Sequence, residues 1–153
     1  DLYAWGASLG LRFGAGPFSL SAEGQLGRNW RNSLGSAGIS PAAMAGAASI
    51  NTATGSIQDS KCYGGWIDLA FKLGPATPHL IYGYASGEGS GTDKTKATSQ
   101  MIGISMPISL AKGFSLRPEV MFYFDGTNNK NSAGKGINNG SYGIYGLQFQ
   151  ITF

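Results

Sequence analysis

The sequence predicts an all-β fold, an antiparallel up-and-down β-barrel in which seven strands fall within this chain. Three observations lead there. Apolar residues alternate with small or polar ones along seven segments, no stretch of helical period separates them, and tight turns alternate with long polar loops.

Successive Cβ atoms of a strand point to opposite sides, so alternate residues share a face. The first segment places Tyr3, Trp5, Ala7, Leu9, Leu11 and Phe13 opposite Ala4, Gly6, Ser8, Gly10 and Arg12. The second opposes Phe18, Leu20, Ala22, Gly24 and Leu26 to Ser19, Ser21, Glu23, Gln25 and Gly27. In the third, Tyr63, Gly65, Ile67, Leu69, Phe71 and Leu73 oppose Gly64, Trp66, Asp68, Ala70 and Lys72. The fourth is weaker, with Pro78, Leu80, Tyr82 and Tyr84 against His79, Ile81, Gly83 and Ala85. The fifth sets Ile102, Ile104, Met106, Ile108 and Leu110 against Met101, Gly103, Ser105, Pro107 and Ser109. The sixth sets Phe114, Leu116, Pro118, Val120, Phe122 and Phe124 against Ser115, Arg117, Glu119, Met121, Tyr123 and Asp125. In the seventh, Tyr145, Leu147, Phe149, Ile151 and Phe153 alternate with Ile144, Gly146, Gln148, Gln150 and Thr152.

Composition narrows the function classes. The 153 residues bound a single domain, 1–153. Charged residues make up 12% of the chain, about half the usual share, so an ordinary soluble surface is not expected. One cysteine excludes an internal disulfide, and no Cys/His ligand set exists for zinc. The net charge of +3 comes from basic residues scattered between Arg12 and Lys135, without the cluster that nucleic acid binding requires. The longest uncharged stretch, Asn32 to Gln58, is too polar for a spanning helix. Asp1-Leu2-Tyr3 shows no initiator Met, no basic n-region and no apolar h-region, so any export signal is expected to have been removed or never to have belonged to this piece, a mature chain or a fragment.

The two faces differ in a way a soluble sandwich does not explain. Every aromatic residue except Trp66, Tyr123 and Tyr142 phases with the apolar face. The opposite face is mostly Gly, Ser and Ala rather than the Lys, Glu and Thr of a solvated sheet, which suits the concave wall of a barrel. Phe13, Phe18, Phe71, Phe114 and Phe153 fall near one set of turns. Tyr3, Trp5, Trp30, Tyr63, Tyr84 and Tyr145 fall near the other loops, as two interfacial girdles would. Gly14 to Pro17, Gly74 to Thr77 and Ala111 to Gly113 read as tight turns; 31–60, 87–96 and 126–140 read as long loops. Closure is the only way strands can span lipid, so these features predict a transmembrane barrel.

At this point the chain resembles the Gram-negative outer-membrane β-barrels, and most closely the porins. The likeness rests on the alternating strands, the rhythm of turns and loops, and the terminal strand Tyr145, Leu147, Phe149, Ile151 and Phe153, which ends in Phe. It implies residence in the bacterial outer membrane, contact with membrane lipid and lipopolysaccharide, and recognition of that strand by the barrel assembly machinery. It further implies a homotrimer and passive passage of ions and small hydrophilic solutes through a water-filled channel. No nucleic acid partner, no cofactor and no enzymatic activity is implied. If Phe153 ends in the periplasm, the first strand begins outside the cell; barrels of this family have even strand numbers, so the chain is expected to be the C-terminal part of a larger barrel of about 14 to 18 strands. The alternative is a small eight-stranded barrel with a structural or adhesive role; a soluble β-sandwich is the third reading.

Candidate pore-lining charges are Arg12, Glu23, Asp68, Lys72, Arg117, Glu119 and Asp125. A wall of mixed sign gives weak ion selectivity and a transverse field that orders water; the bland reading is internal salt bridging. Arg28 and Lys61 phase outward at the loop ends of neighbouring strands, where they could contact lipopolysaccharide phosphates or simply snorkel. Within the longest loop, Ser40 to Thr54 could start a short helix, with Ser40 as N-cap and Pro41 following, and either constrict the mouth or cap the rim. Gly89 to Thr95 fails as a phosphate loop because Asp93 stands at a glycine position. Asp125, Thr127, Asn129 and Asn131 have calcium-ligand spacing, but Lys130 replaces the turn glycine. His79 and Cys62 are expected at opposite rims, and His79 without a positioned partner, which leaves no catalytic pair.

Overall fold

The computed structural model describes residues 3–29, 48–89, 96–130, 134 and 136–152, and these form strands, turns and loops with no helix. In chain order the strands are β1 (Trp5–Ala15), β2 (Phe18–Arg28), β3 (Ser49–Ile50), β4 (Ile57–Gln58), β5 (Ser60–Phe71), β6 (His79–Gly89), β7 (Lys96–Ser105), β8 (Ile108–Ala111), β9 (Phe114–Lys130) and β10 (Gly136–Ile151). One antiparallel sheet runs β1-β2-β5-β6-β7-β9-β10, with β8 also on β9; β3 and β4 make a separate short hairpin. The seven long strands match the seven alternating segments in number and order.

Register carries the alternation across the whole sheet. Directly opposed residues of an antiparallel pair share a face. Phe13 faces Leu20, which faces Leu69, then Leu80, Ile104, Val120 and Tyr145. Two positions further along each strand, Leu11, Ala22, Ile67, Tyr82, Ile102, Phe122 and Gly143 form the next such row. A one-residue slip at any pairing would break these rows, so the apolar face is continuous over all seven long strands.

No second layer covers that face among the described residues. Leu9 is 82% exposed, Tyr145 71% and Ile104 59%, and among the described residues the only buried apolar side chains are Ala70 and Ala97. The opposite face is the more covered one. Along β7, Ala97, Ser99, Gly103 and Ser105 are buried while Gln100, Ile102 and Ile104 are exposed. The contrast belongs to the inner strands; β1 is exposed on both faces.

Turn chemistry explains the tight ends. Ala15 pairs with Phe18 around Gly16-Pro17, and Gly16 has φ 57°. Primed hairpin turns need such a φ at the first central position, and proline fixes the next one near −65°. At the same end of the sheet Leu73 bridges Ala76 and the Ser109 amide donates to the Pro75 carbonyl, tying the β5–β6 turn to β8.

Several boundaries differ from expectation. The loop expected over 126–140 is largely strand, because β9 runs on to Lys130 and β10 starts at Gly136 with bulges near Asn138. Backbone pairing holds this Gly- and Asn-rich stretch, which has too few apolar side chains to show a period. Tyr145 consequently stands within β10 rather than near a loop, its ring edge-on to Phe122 at 6.1 Å. The fifth segment breaks at Met106-Pro107 into β7 and β8, since proline lacks the amide a central ladder needs. Of the expected Ser40–Thr54 helix, 40–47 lie outside the described residues. Its remainder belongs to the β3–β4 hairpin, turned by Asn51, whose Oδ1 accepts from the Ala53 amide, and by Gly55 at φ 66°. The sheet is also open: β1 pairs only with β2, and β10 only with β9. As first and last of seven alternating strands they run in the same direction, so they cannot join each other in an antiparallel ladder.

Candidate functional site

The small-residue face is where charged and polar side chains converge, and the register orders it into rows. Toward the short turns lie Arg12, opposite Ser21, and Arg117, opposite Gln148. Lys72, expected on the strand wall, sits one residue beyond β5, where its amide donates to the Pro17 carbonyl at 2.8 Å; it belongs to the rim. Glu119 faces Ser105 on one side and Gly146 on the other, and its carboxylate lies over Gly146, where a Cβ would collide with it. Glu23 faces Trp66, and Asp68 faces Ser21 and Ile81. Asp125 is opposite Ser99 and Gly140, only 7% exposed, and its Oδ1 has no hydrogen-bond partner among the described residues.

His79 does have a partner. Its Nδ1 lies 2.9 Å from both oxygens of Asp68. His79 opposes Ala70 and Asp68 opposes Ile81, so the two are diagonal neighbours on one face, within cross-strand reach. The expectation of an unpartnered histidine therefore fails, because the β5–β6 register decides the contact. Ser105 faces His79 across β6 and β7, but no hydrogen bond joins them. Among the described residues no ion pair links Arg12, Glu23, Lys72, Arg117, Glu119 or Asp125 to another side chain. Mutual salt bridging within that set is thus not what holds them.

The aromatic exceptions of the sequence fall on one line. Trp66 faces Gly83, which faces Met101, then Tyr123, then Tyr142, straight across β5, β6, β7, β9 and β10. Tyr123 and Tyr142 stack with ring centroids 4.9 Å apart and planes 7° from parallel. A Cβ on Gly83 would touch the Met101 methyl at 3.5 Å, so Met101 covers that glycine. The sequence marks these residues only as breaks in the alternation, since their alignment is a property of four registers.

At the loop ends the outward face carries a second row: Trp5, Arg28, Lys61, Glu88 and Lys96. Arg28 pairs with Asp59, Lys61 is exposed, and the Lys96 ammonium lies 5.7 Å from the centre of the Tyr63 ring. A groove of about 480 Å³ runs between Trp5, Leu26, Arg28, Lys61 and Tyr63. Beside it Asn29 is fully buried with φ 53°, donating from Nδ2 to the Tyr3 carbonyl and accepting from the Ser60 amide at Oδ1. The calcium-like spacing that starts at Asp125 lies along β9, where an extended backbone cannot wrap an ion, and Asn131 is outside the described residues. The 89–95 segment is described only at Gly89, and Trp30 and Phe153 not at all. No family model, no curated protein and no solved structure matches this chain.

Proposed function

We propose that this chain is the C-terminal part of a bacterial outer-membrane β-barrel of the porin type, passing ions and small hydrophilic solutes through a water-filled lumen. One observation carries the reading: a single-layer sheet leaves an unbroken apolar face exposed over seven strands and carries small and charged residues on its other face. Exposed apolar area of that extent is not stable against water, whereas hydrocarbon wets it at no cost.

The dimensions agree. From Phe71 to Lys61 is ten residues of β5, about 34 Å of strand, which a tilt of about 40° reduces to a height of about 26 Å, against an apolar band of roughly 25 Å in such barrels. Phe18 and Phe71, directly opposed, and Phe114 stacked on Phe149 stand at the lower boundary. Tyr63 and Tyr84 stand near the upper one, and in the row beyond them, beside Trp5, Arg28, Lys61 and Lys96 would meet lipopolysaccharide phosphates. Open edges at β1 and β10 call for further strands, and Tyr145, Leu147, Phe149, Ile151 and Phe153 would be the strand that assembly machinery reads. Association into a trimer would use part of the same apolar wall.

A small eight-stranded barrel is the second reading, favoured by the bulky row Trp66, Met101, Tyr123 and Tyr142, since small barrels fill their interior. Planar-bilayer recording decides between them: stepwise ion conductance supports the pore, and detergent-dependent folding without conductance supports the filled barrel. Folding as a monomer in plain buffer would overturn both.

A further inference from the structure

We infer that the row from Trp66 to Tyr142, with the carboxylates of Glu23 and Asp125, is a binding site for solutes that carry an organic cation, an ammonium or a guanidinium group. The inference rests on the proposed channel in one respect, that this face is wetted and reachable by solute.

Its first support is the aromatic surface. Trp66 and Tyr142 are each 42% exposed although they lie on the small-residue face, and Tyr123 backs Tyr142 as a parallel stack. Ring faces exposed in this way attract cations through the ring quadrupole. Met101, laid over Gly83, continues the surface between Trp66 and Tyr123 with a polarisable side chain.

Charge supplies the second support. The row itself holds Glu23, and the next row toward the loops, which runs Ser8, Gln25, Gly64, Ala85, Ser99 and Asp125, holds the other acid. Neither row contains a Lys, Arg or His. The basic residues of this face, Arg12, Lys72, His79 and Arg117, all lie closer to the short turns, and His79 is already held by Asp68. Arg12 and Asp68 share the adjacent row on the short-turn side and offset each other, so Glu23 and Asp125 leave the aromatic row with a net negative surrounding.

Asp125 is the third and independent support. Its side chain is more than nine-tenths buried and Oδ1 lacks a donor among the described residues, a costly arrangement for a carboxylate. It is two residues from Tyr123 on the same face of β9. A cationic donor seated on the Tyr123–Tyr142 stack would supply both the hydrogen bond and the opposite charge. A neutral sugar could also stack on these rings, but it would leave the charge uncompensated.

Calorimetric titration of the folded chain in detergent micelles tests this with Nα-acetyl-argininamide and its neutral isostere Nα-acetyl-citrullinamide, hereafter argininamide and citrullinamide, and with maltose. Argininamide should bind at least about tenfold more tightly than citrullinamide, the discrimination of roughly one desolvated cation–π contact and its carboxylate. D125N and Y142L should each weaken argininamide by about five- to tenfold, and K112Q in the exposed turn before β9 should change nothing. Where D125N does not fold, Y142L and W66L carry the test. Equal binding of argininamide and citrullinamide, tighter binding of maltose, or variants indistinguishable from the native chain would overturn the inference. Conductance is measured separately. A conducting barrel that does not discriminate overturns this inference alone, a barrel with neither conductance nor binding overturns the channel with it, and discrimination without conductance leaves the site standing.

Discussion

Asn29 shows what a single residue contributes at the loop end of this sheet. It follows β2 in the left-handed region, which asparagine tolerates better than other side chains except glycine, and its amide clamps Tyr3, Asp59 and Ser60 together. Replacing Asn29 by Ala removes these bonds while leaving the Ser60 amide buried, and should cost about 2–4 kcal/mol in urea unfolding. Gly24 and Gly65 make a sharper contrast, because they face each other and nothing in the sequence distinguishes them. A Cβ on Gly24 would meet open space; one on Gly65 would run into the Glu23 carbonyl and lie 3.2 Å from the Gly24 Cα. Gly24→Ala should therefore change stability by less than about 0.5 kcal/mol, and Gly65→Ala should lose about 1–3 kcal/mol, by the same measurement.

Elements are where the alternation argument holds best and where its reach ends. β1, β2, β5 and β6 begin and end within a few residues of the alternating segments, because a strand greasy on one side declares its face at every second position. β9 and β10 extend into 126–130 and 136–143, where Gly, Asn and Thr supply backbone hydrogen bonds and little apolar area, so no period marks them. The hairpin of β3 and β4 was hidden in a helix-like run for a similar reason: an Asx turn and a positive-φ glycine outweigh local propensity. Ile102 sits mid-strand on β7 with its face exposed. If lipid covers that face, Ile102→Arg should lower refolding stability in phosphocholine vesicles by about 2–4 kcal/mol, while Ser21→Arg on the other face stays within about 1 kcal/mol. Equal effects would mean that both faces see the same solvent.

At the scale of the molecule the open edges matter most. β1 and β10 offer unpaired amides and carbonyls along their outer sides, which lipid cannot satisfy. If the proposed barrel closes over these edges, their amides should resist hydrogen exchange about as well as those of β6 and β7, and free exchange along either edge would show that no strand pairs there. The proposed channel gives a functional counterpart: if the small-residue face lines a lumen, Arg117→Glu combined with Lys72→Glu should move the reversal potential in a salt gradient toward cation selectivity. An unchanged potential would remove both residues from the conducting path.

The candidate site was only partly legible. The sequence placed Arg12, Glu23, Asp68, Arg117, Glu119 and Asp125 on the small-residue face, and register agrees, because side-chain parity along a strand needs no neighbour to define it. Lys72 was misplaced from wall to rim because parity does not tell where a strand ends. The Asp68–His79 pair and the aromatic row join residues on different strands, so they depend on how far each strand slides against the next.

By itself, then, the order of residues determined which side of every ribbon is oily, how many long ribbons there are and which ends turn tightly, since each of these is set by neighbours along the chain. Tertiary structure alone decided which residues line up across the strands, which glycines have room and which charges meet. Those outcomes hang on hydrogen-bond register between distant segments, and a local pattern carries no record of it.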